Sequence, residues 1–231
     1  MSTPFHTILL SKSCSSDLVC LSAPVQDLAH VLSFSERRAV NKAVEKRRRE
    51  FATGRWLAHQ ALAELGIGVD SIPTGPNREP VWPGSVKGSI THTDGHVVVA
   101  VTTDPAVAGV GIDLERAGRV GDSILSRVLT EGERTTLGEL DPTLLFSAKE
   151  SCYKVLFPIF REYVDFHAVE VEIDEPSRSF TLTYVGDRPD HQVIEQAVGS
   201  FQQIDGCWLT SVILPSLALK GPFGARPAYD S

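Results

Sequence analysis

The stretch Val110-Gly111-Ile112-Asp113-Leu114-Glu115 decides how this chain is expected to fold. Its alternation of apolar and acidic residues predicts a β-strand, in which every second side chain lies on the same face. Asp113 and Glu115 are therefore expected to project together on the outward face. Ile112 and Leu114, on the opposite face, are expected to point into a core. Two adjacent carboxylates repel each other unless a cation lies between them, and their hard oxygen atoms suit Mg²⁺.

A second stretch, Phe146 to Lys154, reads FSAKESCYK and predicts a helix that carries a third carboxylate. Asp141 can cap this helix, and Pro142 fits its first turn. Glu150 and Lys154 are four residues apart, so they are neighbours on one helical face. Taken alone, each stretch has a commoner structural explanation, which is a solvated strand edge for the first and a surface ion pair for the second.

Composition limits the possible classes of protein. The 231 residues allow one or two domains with a sizeable core, and a net charge of −7 argues against a general nucleic-acid binder. No apolar run predicts a transmembrane helix, and the N-terminus lacks the order of residues found in signal peptides. The four cysteines show no CxxC spacing, which favours neither a zinc site nor a disulfide framework. A reducing cytoplasm is the expected location.

A strongly basic stretch lies inside a predicted helical region that begins at a capping box formed by Ser33 and Glu36 and runs to about Leu65. This region is long enough to be two helices, with a break near Lys46. Arg48 and Arg55 are two turns apart on one helical face, with Arg47 close by. The commoner explanation of such a run is a solvated charged face. The alternative is an anion site, since a guanidinium group binds phosphate through two hydrogen bonds at once.

The segment Gly88 to His92 reads GSITH and combines a glycine, two hydroxyls and a histidine at the end of a predicted strand. This combination suits a contact to phosphate, although His92 taken alone is more often an ordinary, partly buried histidine. His92 and His96 are four residues apart, but Asp94-Gly95 between them predicts a turn. The turn excludes a metal site made by two histidines on one helix.

The second half of the chain repeats the first in outline. It contains helical sequence from about Ser123 to Leu140, the helix that carries Glu150, and predicted strands at Val169 to Ile173, Phe180 to Tyr184 and Cys207 to Leu214. Both halves mix helix and strand to a similar extent, which predicts an α/β (α+β) fold of two similar halves, residues 1–117 and 118–231. The tail after Pro215 is rich in glycine and proline and is expected to be poorly ordered.

Five motifs, in this order, resemble those of the 4′-phosphopantetheinyl transferases, in the siderophore and surfactin branch and close to the actinobacterial enzymes. They are RRREFATGRWLA at 47–58, REPVWP at 78–83, GSITH at 88–92, GVGIDLE at 109–115 and FSAKESCYK at 146–154. The resemblance implies a pseudo-dimer of two α/β halves with the active site between them. It also implies a Mg²⁺-dependent enzyme that moves the phosphopantetheine arm of coenzyme A to a serine of an acyl or peptidyl carrier protein. Adenosine 3′,5′-bisphosphate would be released, and the enzyme is expected to be a cytoplasmic monomer.

The resemblance further implies roles for individual residues. Asp113, Glu115 and Glu150 would hold Mg²⁺, and Glu150 or a metal-bound water would take the proton from the serine. The implied contacts to the phosphates and nucleotide of coenzyme A are Arg47, Arg55, Ser89, Thr91, His92 and Lys154.

The chain departs from the family pattern at two positions. Phe146 stands where some relatives have a tryptophan, and Thr74 stands where relatives have a lysine ahead of the "EP" pair. Arg78 is the nearest residue that can substitute for this lysine, so it is added to the expected contacts with coenzyme A.

The segment from Arg116 to Leu129 directly follows the two acids, so it is expected to pass close to the attacking serine. It offers positive charge for an acidic carrier and apolar side chains for contact. These residues are Arg116, Arg119, Arg127, Val120, Ile124, Leu125 and Val128. The alternative is that the segment only links the two halves and that its apolar residues are buried between them.

Two other functions are compatible with the motifs. One is a catalytically silent module that binds coenzyme A, which the presence of three carboxylates together with Lys154 disfavours. The other is a different Mg²⁺ enzyme that acts on nucleotides, such as a phosphohydrolase.

Overall fold

The computed structural model describes residues 5–10, 17–93 and 95–216. Within these ranges the strands are β1 His6–Thr7, β2 Leu18–Pro24, β3 Lys87–Thr93, β4 His96–Thr102, β5 Val107–Arg116, β6 Val169–Asp174, β7 Ser179–Tyr184, β8 Val198–Ile204 and β9 Cys207–Pro215. The helices are α1 Phe34–Val40, α2 Glu45–Glu64, α3 Asp122–Val128, α4 Glu131–Thr136 and α5 Pro142–Phe160. None of these helices is both long and apolar enough to cross a membrane. The tail that was expected to be poorly ordered lies, from residue 217 onward, outside the described ranges.

Two antiparallel sheets form the framework of the protein. The first has the strand order β1-β2-β4-β3, and the second has the order β5-β9-β8-β7-β6. Helix α2 packs on the first sheet through Leu57 and Ala61, and α5 packs on the second through Ala148 and Leu156, all of which are fully buried. A helix packed on a sheet in each half confirms the predicted α/β (α+β) fold of two halves.

Strand β5 belongs to the second sheet. It pairs along its length with β9, so that Asp113 lies opposite Thr210. The boundary between the halves predicted from the sequence, after residue 117, assigns this strand to the first half, because the strand directly follows β3 and β4 in the chain. Sheet membership places the change of sheet between Thr102 and Val107. We therefore propose that the second half begins at β5.

The two sheets meet where edge strand β3 runs beside edge strand β5. The hydroxyl oxygens of Ser89 and Thr91 accept hydrogen bonds from the N–H groups of Ile112 (3.2 Å) and Leu114 (3.1 Å). The free edge of a strand carries N–H groups that need acceptors when they are buried, and these hydroxyls provide them. Ser89 and Thr91 are each 5% exposed or less. The two hydroxyls therefore bind backbone groups at the joint between the sheets, whereas the resemblance implied that they contact phosphate.

Helix α5 begins as its sequence predicts. The Asp141 side chain accepts a hydrogen bond from the Thr143 N–H (2.9 Å), and Pro142 occupies the first turn. The apolar stripe that includes Cys152 and Val155 is buried in the core of the second half.

Strand β5 lies directly against α5 because Gly111 has no side chain. A Cβ atom at Gly111 would be 2.0 Å from the carbonyl oxygen of Ser151 and 2.8 Å from a methyl carbon of Val155. Interiors are packed too densely to absorb such an overlap without a shift of the backbone. The close approach of the two elements brings the polar face of α5 up to Asp113.

We expect Gly111→Ala to lower the free energy of unfolding by about 1–3 kcal/mol or more, because α5 must move away from β5 to make room. Chemical unfolding followed by circular dichroism measures this change. Gly68→Ala is the matched control, since no atom lies within 4 Å of an added Cβ there. Equal stability of the two variants would contradict the close approach.

Candidate active site

Asp113 is the centre of the candidate site. Its Oδ1 accepts hydrogen bonds from Lys154 Nζ (2.7 Å) and Thr91 Oγ1 (3.2 Å), and its Oδ2 accepts one from Ser147 Oγ (2.9 Å). Asp113 is only 5% exposed. The prediction that it faces outward is wrong, because α5 covers this face of β5 while the first sheet covers the other.

Lys154 supplies the positive charge that balances Asp113. Its Nζ also donates to the carbonyl oxygen of Ile112 (3.0 Å), and its side chain is 26% exposed. A partly buried pair is screened less than one on the surface. Lys154 is therefore fixed at the carboxylate while part of its side chain stays accessible to a ligand.

Glu115 and Glu150 extend the acidic cluster beside Asp113. Burial raises the pKa of Glu115, and the charges of Asp113 and Glu150 add to this effect. Burial also raises the pKa of Glu150, where Lys154 opposes the shift and Asp113 adds to it. Arg119 Nη1 lies 3.2 Å from Glu115 Oε2 and offsets part of the repulsion. The three carboxylates are thus close enough to repel one another.

The donor set of these three carboxylates fits a hard divalent cation. Mg²⁺ prefers oxygen ligands, and a cation among the carboxylates would relieve the repulsion that burial strengthens. Among the described residues, no three side chains of histidine, cysteine, aspartate or glutamate already stand in coordinating geometry. In the structure, Oδ1 of Asp113 accepts a hydrogen bond from Lys154. The metal site at Asp113, Glu115 and Glu150 therefore stays a prediction.

Arg47 and His92 meet on the side of the site that faces α2. Arg47 Nη1 donates a hydrogen bond to His92 Nε2, and His92 Nδ1 lies 3.6 Å from Glu50 Oε2. Because a guanidinium can only donate, Nε2 is the acceptor and the ring proton is on Nδ1, towards Glu50. Burial lowers the pKa of His92, and the charges of Lys154 and Asp113 also act on it. The pair is therefore in electrostatic contact with the acidic cluster.

Arg55 is buried with an incomplete set of partners. Its Nη2 donates to Thr74 Oγ1 (3.1 Å) and to the carbonyl oxygen of Pro73 (3.4 Å), and its guanidinium lies 4.8 Å from the centre of the Phe51 ring. Its Nε has no hydrogen-bond partner within the described ranges. Burial lowers the pKa of Arg55 to about 10. A buried cation with an unused donor is suited to an anionic ligand.

A cleft of about 430 Å³ separates the two halves and contains Lys154 in its wall. Four cationic residues line it, and the one acidic residue among its described lining residues is Glu79. The cations are Arg78, Lys87, Lys154 and Arg161. Much of the remaining wall is apolar and includes Trp82, Ile90, Val110, Phe157 and Ile159. The cleft can therefore hold an anion that carries an apolar arm.

The structure brings most of the predicted residues together. Thr91, Glu115, Glu150 and Lys154 surround or act on Asp113, and Arg47 with His92 lies next to this group. Arg55 is in electrostatic contact with Arg47. Arg78 lies apart from Asp113 on the cleft wall, in a left-handed backbone conformation with φ of 69°.

Two further residues of the site were missed from the sequence. Ser147 binds Asp113, and Glu50 lies beside His92. Each has a helical spacing of three residues from a predicted site residue, Ser147 from Glu150 and Glu50 from Arg47. Residues three apart are neighbours on a helix, so this spacing is the signal that could have found them.

We expect Glu150→Gln to stabilise the metal-free protein at about pH 7 and to lose this effect below the ordinary glutamate pKa of 4.5. A glutamate whose pKa is raised on folding destabilises the folded state as the pH rises, because the unfolded chain releases the proton first. Chemical unfolding in the presence of a chelator, at both pH values, measures the difference. The exposed Glu172→Gln is the control, and a pH-independent effect of Glu150→Gln would contradict the assignment.

Two family models match the chain in succession. The model for the 4′-phosphopantetheinyl transferase N-terminal domain matches residues 35–102, and the model for the 4′-phosphopantetheinyl transferase superfamily matches residues 109–204. The gap between the matches falls at the step from the first sheet to the second.

Individual relatives agree with these matches. The chain is 38% identical over 206 residues to 4′-phosphopantetheinyl transferase Svp of Streptomyces mobaraensis. The matched region covers 84% of this chain and 81% of Svp. It is 36% identical to 4′-phosphopantetheinyl transferase Npt of Nocardia iowensis, over 62% of this chain and 68% of Npt. It is 32% identical to 4′-phosphopantetheinyl transferase PptT of Mycobacterium tuberculosis, over 65% of this chain and 69% of PptT.

Proposed function

Since this chain belongs to the 4′-phosphopantetheinyl transferase family, we propose that it uses Mg²⁺ to move the phosphopantetheine arm of coenzyme A onto a serine of a carrier protein. Transfer of this arm from coenzyme A to carrier proteins is the activity of the family; the serine, the metal and the release of adenosine 3′,5′-bisphosphate are parts of the proposal. The observation that carries it is the hydrogen bond between Asp113 and Lys154, a residue that lines a cationic cleft. The cytoplasmic location and the monomeric state stay predictions.

In the proposed reaction, Asp113, Glu115 and Glu150 would hold Mg²⁺, and the bound ion would offset negative charge on the pyrophosphate. The serine hydroxyl attacks the phosphorus that carries the arm and gives its proton to a carboxylate oxygen of Glu150. Burial raises the pKa of Glu150, which makes it a stronger base. The bond between this phosphorus and the nucleotide phosphate breaks, and adenosine 3′,5′-bisphosphate leaves. Lys154 would balance the charge on the phosphate oxygens.

The nucleotide end of coenzyme A is assigned to Arg47, Arg55 and His92. A phosphate would complete the hydrogen bonding of Arg55, whose buried Nε is unused. It would also accept from Arg47, which at present donates to a histidine ring. Negative charge near His92 would raise the pKa that burial lowers and would favour its protonated form.

One experiment separates the proposal from a silent coenzyme A-binding module and from a phosphohydrolase. The protein is incubated with coenzyme A, Mg²⁺ and a panel of apo carrier proteins, and intact mass is measured. A gain of one phosphopantetheine arm on a carrier serine, with adenosine 3′,5′-bisphosphate in solution, is the expected result. Nucleotide release without a modified carrier would favour the hydrolase, and binding without turnover would favour the silent module.

We expect Asp113→Asn to lower the transfer rate by about 10²-fold or more, because the metal loses a charged ligand at the reacting phosphate. Asparagine keeps the volume of the side chain and a hydrogen-bonding group for Ser147, and alanine would remove both. Either change takes the counter-ion from partly buried Lys154. Initial rates over a range of Mg²⁺ concentrations give the measurement. The exposed Asp187→Asn is the control, and undiminished turnover of Asp113→Asn would reject the metal assignment.

We expect Arg55→Met to raise the KM for coenzyme A about tenfold or more and to leave the KM for the carrier nearly unchanged. A hydrogen bond to a charged group contributes about 1.5–3 kcal/mol, and each 1.4 kcal/mol is about tenfold in affinity. Methionine fills the buried space, so the change is mainly one of charge. Arg48→Met is the control, because Arg48 is exposed in the first turn or two of the same helix. A larger effect on the carrier KM would assign this face of α2 to docking.

The segment predicted to dock the carrier is divided between interior and surface. Val120 and Val128 are buried, and Val128 lies in the core of the second half rather than between the halves, where the linker alternative expected it. Ile124 is 41% exposed and Arg127 is exposed on α3. Arg119 pairs with Glu115, so a charge reversal there would disturb the acidic cluster as well as any docking surface. We propose that the carrier contacts the exposed face of α3.

We expect the double change Ile124→Ser and Arg127→Glu to weaken carrier binding while coenzyme A affinity is kept. The arginine attracts an acidic carrier in a salt-dependent way, and the isoleucine adds an apolar contact that salt does not screen. Titration of both ligands at low and high salt gives the measurement. Val185→Ser, at a half-exposed position on the second half, is the control, and unchanged carrier affinity would place docking elsewhere.

A further inference from the structure

A row of three buried hydroxyls lies behind Asp113, between β9 and α5. Thr210 is the residue opposite Asp113 in the pairing of β9 with β5, so both side chains project from the same face of the sheet. Helix α5 covers this face and presents Ser147 and Ser151, which are four residues apart and therefore neighbours on the helix. The three hydroxyl residues are 0% exposed. They cannot touch a ligand, so a role in the reaction must act through Asp113.

The hydroxyls are hydrogen-bonded in series towards the carboxylate. Ser147 Oγ lies 2.9 Å from Asp113 Oδ2 and 2.9 Å from Thr210 Oγ1. An ionised carboxylate can only accept, so the single hydroxyl proton of Ser147 goes to Asp113, and the Ser147 oxygen accepts from Thr210. Thr210 Oγ1 also lies 2.9 Å from the carbonyl oxygen of Ser147, so its proton has two acceptors on the same residue. Thr210 therefore fixes the direction in which Ser147 donates.

Ser151 completes the row without reaching Asp113. Its Oγ lies 2.7 Å from Thr210 Oγ1 and 3.2 Å from the Thr210 carbonyl oxygen. Because the proton of Thr210 points to Ser147, Ser151 is the donor in both contacts. Ser151 thus belongs to the same buried cluster, but the bond from Ser147 to Asp113 does not depend on it.

The bonds to Asp113 leave one of its two oxygens partly free. Each oxygen of an ionised carboxylate has two lone pairs. Those of Oδ1 accept from Lys154 Nζ (2.7 Å) and from Thr91 Oγ1 (3.2 Å). Oδ2 accepts from Ser147 alone among the residues that the structure describes. One lone pair of Oδ2 is therefore available to a cation, and the bond from Ser147 sets the direction in which it points.

We propose that Ser147, held by Thr210, is the positioning residue that aims Oδ2 of Asp113 at Mg²⁺. The inference rests on the proposed function, because its premise is the metal assignment to Asp113, Glu115 and Glu150. Loss of a hydrogen-bond partner behind a metal ligand typically costs about 10- to 100-fold in metal affinity, because the ligand loses its orientation. A role in packing alone would not need hydroxyls, since apolar side chains fill a core without polar groups to satisfy.

The first test compares Ser147→Ala with its matched control, Ser151→Ala. Both changes remove one hydroxyl from the same buried cluster, but only the first removes a bond to Asp113. Mn²⁺, which also takes oxygen ligands, is titrated into each protein, and the free ion is followed by electron paramagnetic resonance. We expect Ser147→Ala to raise the Mn²⁺ dissociation constant by about tenfold or more and Ser151→Ala by less than about twofold. An equal effect of the two changes would reject the role of Ser147.

A second pair of variants separates the hydroxyl of Thr210 from its volume. Thr210→Val keeps the shape of the side chain and removes the hydroxyl, whereas Thr210→Ser keeps the hydroxyl and removes a methyl group. We expect Thr210→Val to weaken Mn²⁺ binding by about fivefold, the factor that corresponds to one ordinary hydrogen bond, and Thr210→Ser to bind almost as the native protein does. This pair tests the inference even where Ser147→Ala fails to fold. Weaker binding by Thr210→Ser than by Thr210→Val would contradict it.

The rate of transfer from coenzyme A gives an independent measurement. Ser147→Ala should raise the Mg²⁺ concentration that gives the half-maximal rate by about the same factor as the Mn²⁺ dissociation constant, about tenfold or more. Circular dichroism reports the folding of each variant. An unchanged dependence on Mg²⁺ in a folded Ser147→Ala protein would overturn the inference.

The outcomes separate this inference from the proposed function. The Mn²⁺ titrations are made with and without coenzyme A, because phosphate oxygens usually complete the shell of such an ion. No binding by the native protein in either case, or binding that Asp113→Asn leaves intact, would reject the metal assignment and the inference with it. Binding that needs Asp113 but is equally tight in the native, Ser147→Ala and Thr210→Val proteins would reject only the positioning role.

Discussion

The buried carboxylate of Asp113 is the group on which the arrangement of the site depends. A carboxylate that is 5% exposed is costly to bury unless charged and hydrogen-bonded partners surround it. It obtains them from both halves, with Thr91 in the first and Ser147 and Lys154 in the second. These bonds fix α5 relative to β5 and β3. The positions of Glu150 and Lys154 follow from the same contacts.

The joint between the halves explains why a site can exist there. Strands β3 and β5 are edges of different sheets, and side-chain hydroxyls rather than a backbone ladder connect them. Alternation along β3 turns Ser89 and Thr91 towards this joint and places His92 on the opposite face, where it meets Arg47. One short segment thus serves both the fold and the candidate phosphate site. Beyond the start of β5 the halves separate, and the cleft occupies the space between them.

The cleft is positively charged although the chain as a whole is negatively charged. The protein has a net charge of −7, yet the described lining of the cleft has four cations and a single acid. A concave surface with one sign of charge concentrates ligands of the opposite sign. The same net negative charge would repel an acidic carrier, so the proposed docking would need a local surface such as the exposed face of α3. On this proposal, charge in the cleft would attract coenzyme A and a local surface would attract the carrier.

The sequence alone determined the fold class and the capped helix that carries Glu150, because periodicity and capping are local properties. It also identified the acidic and basic residues of the candidate site. The five motifs also determined the family. Tertiary structure decided what depends on contacts between distant segments. It placed β5 in the second sheet, buried Asp113, and used Ser89 and Thr91 as a joint. It also set Glu79 opposite Arg161, 82 residues later in the chain. Alternation within one strand shows which side chains share a face, but only packing decides what covers that face.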